Sequence, residues 1–109
     1  MNFEIVTTEP FDRKIKRLAK KHKSIKKDLA EIIEALKFDP FIGKPLGKDC
    51  FKIRMAITSK GKGKSGGARL ITYIRVVAKT VYLINIYDKG EQETITDKEL
   101  KLLVDALAP

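Results

Sequence analysis

Between Cys50 and Tyr87 the sequence contains no aspartate or glutamate, although eight lysines and arginines fall there. A second acid-free stretch, Arg13 to Lys27, holds nine more. From Asp88 onward the balance reverses, with six acids against three lysines. A solvated coat normally mixes signs, so this segregation points to a surface that meets phosphate. For the first stretch the alternative stays open that helix lysines only keep the chain in solution. Other scarcities narrow the chemistry. A single cysteine, Cys50, excludes an internal disulfide and suits a reducing compartment. With one histidine, His22, and no acids in the basic segment, neither metal-ligand spacing nor a serine-nucleophile triad can be read, and His22 has no recognisable partner. No apolar run approaches membrane-spanning length. The opening MNFEIVTTEPFDRKIKRL carries charges where a signal peptide needs an apolar core. The expectation is a cytoplasmic protein with no membrane partner.

What is present reads as one domain over residues 1–109, long enough for a single core. An apolar content of 43% excludes global disorder. Phe3 and Ile5 flank Glu4 in a short opening strand. Phe11, Ile15, Leu18 and Ala19 then mark one face of a helix whose first turn holds Glu9 and Pro10. Ser24 is the expected cap of a second helix, with Ile25, Leu29, Ile32, Ile33 and Leu36 at the same spacing. Together these predict an αα-hairpin carrying the first cation cluster. A Pro/Gly-rich connector, Asp39 to Gly47, leads to three strands. In CFKIRMAI, Lys52 and Arg54 share one face; in ARLITYIRVV, Arg69, Ile71, Tyr73 and Arg75 do. TVYLINIYD is apolar on both faces, as a central strand is. Thr96 and Glu99 form a capping box for a last helix striped by Leu100, Leu103, Val104 and Leu107. The predicted fold is α+β, a small, mainly antiparallel sheet in the order β-αα-βββ-α.

The segment KGKGKSGGARLITYIR raises the question of what the glycine-rich loop does. Gly63-Lys64-Ser65 suggests a phosphate-binding P-loop, but position 58 is threonine where that motif needs glycine, and a strand follows instead of a helix. Both flanks predict strands, so the segment is a long, glycine-flexible hairpin loop. Its Lys60, Lys62 and Lys64 are placed to track RNA phosphates. Behind it, Lys52, Arg54 and Arg69 lie on neighbouring strands, and cations this close repel unless an anion joins them. A structural ion-pair network would need Asp49, Asp88 or Glu91 from elsewhere in the chain. One reaction runs on cations alone: transesterification of RNA by its own 2′-OH, in which the substrate brings the nucleophile and arginines stabilise the phosphorane. A lysine crowded by cations has a depressed pKa and can serve as base or acid.

The predicted order, the strand CFKIRM, the turn SGGARLITYI and the ending VYLINIYDKGEQETIT before a short helix resemble the RelE/ParE toxin superfamily. Within it they resemble the RelE/HigB-like branch of toxin–antitoxin pairs. The resemblance implies a ribosome-dependent mRNA endonuclease, an mRNA interferase that inhibits translation with neither metal nor other cofactor. It puts the family's basic pair on Lys52 and Arg54, and its phosphate-stabilising arginine on Arg69. A further family arginine falls on Lys89, which keeps the charge and loses the bidentate fork. The family's C-terminal tyrosine falls on Ile95, a departure for which Tyr87 or Tyr73 is the substitute. Tyr73 and Arg75 would extend the RNA-binding surface. Implied partners are a cognate antitoxin, the ribosome with its mRNA, and operator DNA only through the antitoxin complex. Two other readings stand beside this one: a ParE-type gyrase inhibitor, and a nucleic-acid-binding module without catalysis.

Overall fold

The computed structural model describes residues 2–107. In chain order the elements are β1 (Glu4–Thr7), α1 (Glu9–Lys21), α2 (Ile25–Phe38), β2 (Lys44–Gly47), β3 (Cys50–Met55), β4 (Ala68–Arg75), β5 (Thr80–Asp88) and α3 (Asp97–Asp105). A single 3-10 turn, Thr58–Lys60, follows β3. The sheet order is β1-β5-β4-β3-β2, antiparallel except where β1 runs parallel to β5. The expected order therefore holds, with one strand added: β2 lies in what reads as a connector. Its KPLG has no alternation to announce it, and it pairs with β3 through a bulge between Pro45 and Gly47.

Each face of the sheet buries its own core. The αα-hairpin covers one face, where Phe11, Leu18, Ile25 and Leu36 meet Ile53, Leu70, Val81 and Ile86. The nine-residue α3 covers part of the other, where Leu100 and Ile95 meet Cys50, Ile71, Ile84 and Tyr87. Because β5 is buried from both sides, it carries apolar residues on both of its faces. A register shift between Ile71 and Thr72 of β4, where the partner jumps from Asn85 to Leu83, lets Ile84 and Asn85 sit consecutively in β5.

The capping box of α3 forms as the sequence predicts: the Thr96 side chain accepts from the Glu99 N–H, and the Glu99 carboxylate accepts from the Thr96 N–H. Ser24 departs from expectation. It stands at the N-cap of α2 but makes no side-chain cap bond, and its hydroxyl instead donates to Asp28 Oδ2 at 2.8 Å. Asp28 also accepts from the Thr58 hydroxyl at 2.6 Å and the Thr58 N–H at 2.9 Å. Burial opposes its ionisation, but these hydrogen bonds outweigh burial and lower its pKa.

Asp28 thus pins the start of the glycine-rich loop at Thr58. Its far end is fixed by close packing. A Cβ on Gly67 would stand 2.1 Å from the Met55 carbonyl oxygen and 2.9 Å from the Ala56 Cα, both backbone atoms that cannot step aside. Gly67→Ala is expected to cost about 2–3 kcal/mol. Gly61→Ala, at a φ of +70° with open space around it, is expected to cost about 1 kcal/mol from backbone conformation alone. Thermal melts of the two variants check the ranking, and equal melting points would contradict the packing argument.

Candidate functional site

Register brings the predicted cations together. Arg54 of β3 lies opposite Arg69 of β4, and Arg69 lies opposite Tyr87 of β5, so the three form one row across the sheet. At roughly 4.8 Å between strands, the row spans about 10 Å. Two residues along β3, on the same face, stands Lys52, and Lys44 of β2 is directly opposite it. Lys89 follows β5, its N–H donating to the Gly67 carbonyl at 2.9 Å. Among the described residues, Lys44, Lys52, Arg54 and Arg69 have no carboxylate within 4.0 Å.

Each member has its own setting. Burial lowers the pKa of Lys52 first, and Lys44, Arg69, Arg54 and Lys89 push it further down. Arg54 is exposed. Arg69 is only 3% exposed. Its Nη1 donates to the Lys64 and Ala68 carbonyls at 2.9 and 3.1 Å, and its Nη2 reaches the Ser65 carbonyl at 3.5 Å. The glycine-rich loop therefore holds the guanidinium through backbone oxygens and leaves its positive charge uncompensated. Lys89 Nζ donates to Glu93 Oε1 at 2.7 Å and to the Glu93 carbonyl at 3.2 Å.

Tyr87 is buried, and its hydroxyl lacks a hydrogen bond of good geometry, although Thr94 and the Ile95 backbone lie alongside. Burial raises its pKa, so it stays a phenol at neutral pH. Ile95, where the family tyrosine would fall, packs into the core beside it.

Other predicted residues lie elsewhere. Tyr73 is about 13 Å along β4 from Arg69, and Arg75 about 20 Å. These two form a separate cluster with Tyr82, the Arg75 guanidinium lying 6.0 and 5.9 Å from the Tyr73 and Tyr82 ring centroids. Tyr73 therefore lies outside the cationic row, and of the two tyrosines only Tyr87 is in it. Lys62 and Lys64 are exposed on the loop.

Lys60 is not a free loop cation. Its Nζ donates to Asp88 Oδ1 at 2.8 Å on the opposite face of the sheet, and His22 Nε2 lies 2.9 Å from Asp88 Oδ2. His22 thus has a partner after all, and so does one of the three loop lysines. Burial would raise the pKa of Asp88, but hydrogen bonds from Lys60, the Gly90 N–H and His22 outweigh it and hold the carboxyl at about 2. The signal in the sequence was a lone acid closing an otherwise apolar strand. The helix cations are partly structural as well: Arg13 meets Glu9, while Arg17 and Lys21 meet Glu91.

Burial pushes the Cys50 thiol up to about 11, with Asp49 adding to the rise, so it is no nucleophile at neutral pH. Among the described residues no three His, Cys, Asp or Glu side chains converge as metal ligands, and no helix is long and apolar enough to cross a membrane.

Comparison with known proteins agrees with this architecture. A family model described as the RelE toxin of the RelE/RelB toxin–antitoxin system matches residues 11–108. Among solved structures, a double mutant of the E. coli toxin RelE in the free state superposes with a TM-score of 0.64 at 18% identity, covering 99% of this chain and 100% of that one. The isolated E. coli RelE toxin gives 0.53 at 19% identity, covering 96% and 99%. At these identities the structural likeness speaks for the fold alone.

Proposed function

The chain belongs to the RelE toxin family, and from that premise we propose that it is a ribosome-dependent mRNA endonuclease, the toxin of its toxin–antitoxin pair. One observation carries the reading: the row Arg54–Arg69–Tyr87, flanked by Lys52 and Lys89, collects positive charge with no carboxylate against Lys52, Arg54 or Arg69 among the described residues. Such a face is complementary to the dianionic phosphorane of RNA transesterification, where charge accumulates on non-bridging oxygens.

In the proposed step the 2′-oxygen attacks the adjacent phosphorus and the bond to the 5′-oxygen breaks. The products are a 2′,3′-cyclic phosphate and a 5′-hydroxyl. The neutral-amine fraction of Lys52, enlarged by its lowered pKa, accepts the 2′ proton. Arg69 and Arg54 meet the phosphorane oxygens. Tyr87, still protonated, gives its proton to the departing 5′-oxygen, and Lys89 adds charge at the edge. These groups are modest acids and bases, so the ribosome's contribution is to hold the RNA in line for attack, which supplies several powers of ten. Lys62 and Lys64 are the loop cations left to meet RNA. The cognate antitoxin is the partner that would cover this face.

The test is cell-free translation of a defined message with purified protein, 5′ ends being mapped by primer extension beside a control without ribosomes. Cuts inside the reading frame that need translation are expected. Intact message together with arrested growth in cells would overturn the reading in favour of gyrase inhibition, which a supercoiling assay then measures.

A further inference from the structure

Beside the cationic row, the edge of β3 opens into a groove of about 440 Å³ between β3, α2 and the glycine-rich loop. Its floor is apolar, made by the half-buried Ile32 and Ile42 with the buried Ile53 behind them, and its rim is cationic, with Lys44, Lys52, Arg54 and Lys64. Lys44 and Lys52 face each other in register, a like-charge pair that destabilises the sheet unless an anion lies between them. Among the described residues no carboxylate lines the groove.

The backbone adds a third feature. A Cβ on Gly43 would stand 2.6 Å from the Lys52 carbonyl oxygen, so that oxygen points to the β2 side. Alternate residues of a strand turn their backbone groups to the same edge, so the Arg54 N–H and carbonyl point there too. The β2–β3 ladder ends at Lys44 and Lys52, two residues short of Arg54. The groove therefore offers a stacking floor, an edge donor and acceptor, and cations for a phosphate.

We infer that this groove binds one nucleotide of the RNA next to the cleaved bond, its base lying on Ile32, Ile42 and Ile53 and its phosphate between Lys44 and Lys52. The inference rests on the ribonucleolytic reading for the identity of its ligand. Length decides against an added peptide strand. Gly43 closes one end and Lys64 the other, and the open edge from Lys52 to Arg54 is about 7 Å. Strand addition needs main-chain pairing along several residues, whereas a single nucleotide fits. The groove shares Lys52 and Arg54 with the cationic row, so a base seated there would fix which nucleotide flanks the cut.

The test titrates the isotopically labelled protein at low salt with an RNA trinucleotide whose riboses are 2′-O-methylated and cannot be cleaved, following amide NMR signals. Saturable shifts are expected at Gly43, Lys44, Ile53 and Arg54. Lys44→Gln, an exposed site, is expected to weaken binding roughly five- to tenfold and to reduce the slope of log affinity against log salt by about 0.7. Ile42→Ala is expected to weaken binding without changing that slope. Absence of saturable groove shifts at millimolar RNA overturns the inference. So does a response of those amides to a poly-glutamate peptide with none to RNA. The same preparations enter the translation assay, which separates the two readings. Translation-dependent cleavage without groove shifts rejects the groove alone. Groove shifts without cleavage uphold the groove as a nucleotide site and reject the nuclease.

Discussion

Arg69→Ala is expected to reduce translation-dependent cleavage by about 10³-fold, the scale on which a well-placed cation or oxyanion donor acts on charge developing in a transition state. Arg69→Lys is expected to recover only part of that, since an ammonium keeps the charge and loses the planar fork. The setting of Arg69 adds a second effect. Its guanidinium is bonded to the Lys64 and Ala68 carbonyls, so truncation leaves these acceptors without their donor and is expected to lower stability by about 1–3 kcal/mol. Cleavage must therefore be compared well below the melting temperature of the variant, with circular dichroism confirming the fold. A folded Arg69→Ala protein that cleaves like the parent would remove Arg69 from the site.

The second large effect is expected at Asp88, on the opposite side of the sheet. Asp88→Ala leaves Lys60 and His22 without the carboxylate that joins them, in a place where Asp88 is 3% and His22 8% exposed. Removing one partner of a buried ionic group is expected to cost about 3–5 kcal/mol, or roughly 10–20 °C in melting temperature for a domain of this size. The parent's pH dependence follows from the same group. Asp88 titrates at about 2 in the folded chain and at about 4 when unfolded. The unfolded state thus binds the proton first as pH falls. Its stabilisation is complete above about pH 4 and is lost as pH drops toward 2, a loss of about 2 kcal/mol. Asp88→Asn is expected to be less stable at neutral pH and to show a shallower decline across that window. Denaturant titrations from pH 6 to about pH 2 measure both, and parallel curves for parent and variant would contradict the assignment.

How far the sequence foretold these features depended on the range of the interaction. The α3 capping box is legible because Thr96 and Glu99 are three residues apart and answer only to each other. The central position of β5 is legible because burial on two faces leaves its mark in one strand. Lys52, Arg54 and Arg69 were readable as neighbours because the hairpin register follows from alternation. The His22–Asp88–Lys60 network is not readable this way, since its members are 66 and 28 residues apart and meet only when the αα-hairpin docks on the sheet. For the same reason Lys60 looked like its loop neighbours Lys62 and Lys64. Lys44 carries no such mark, because β2 is four residues with a proline and a glycine, too short to show a period. Tyr73 shares its strand face with Arg69, and only distance along β4 separates their roles.

The parallel pairing of β1 with β5 bears on how the molecule comes into being. Glu4 pairs with Thr80 and Thr7 with Leu83, so the first strand waits for the last one. Until β5 has been synthesised, β1 and β4 each lack a neighbour and α1 lacks the surface it covers. Contacts between such distant parts of the chain form slowly and late, because loop closure precedes any gain from them. Tyr87, Asp88 and Lys89 belong to that final portion. A nascent chain still threaded through the translating ribosome thus has cations but no assembled face on which to use them. The parallel pairing thus makes completion of the cationic face one of the last events of folding.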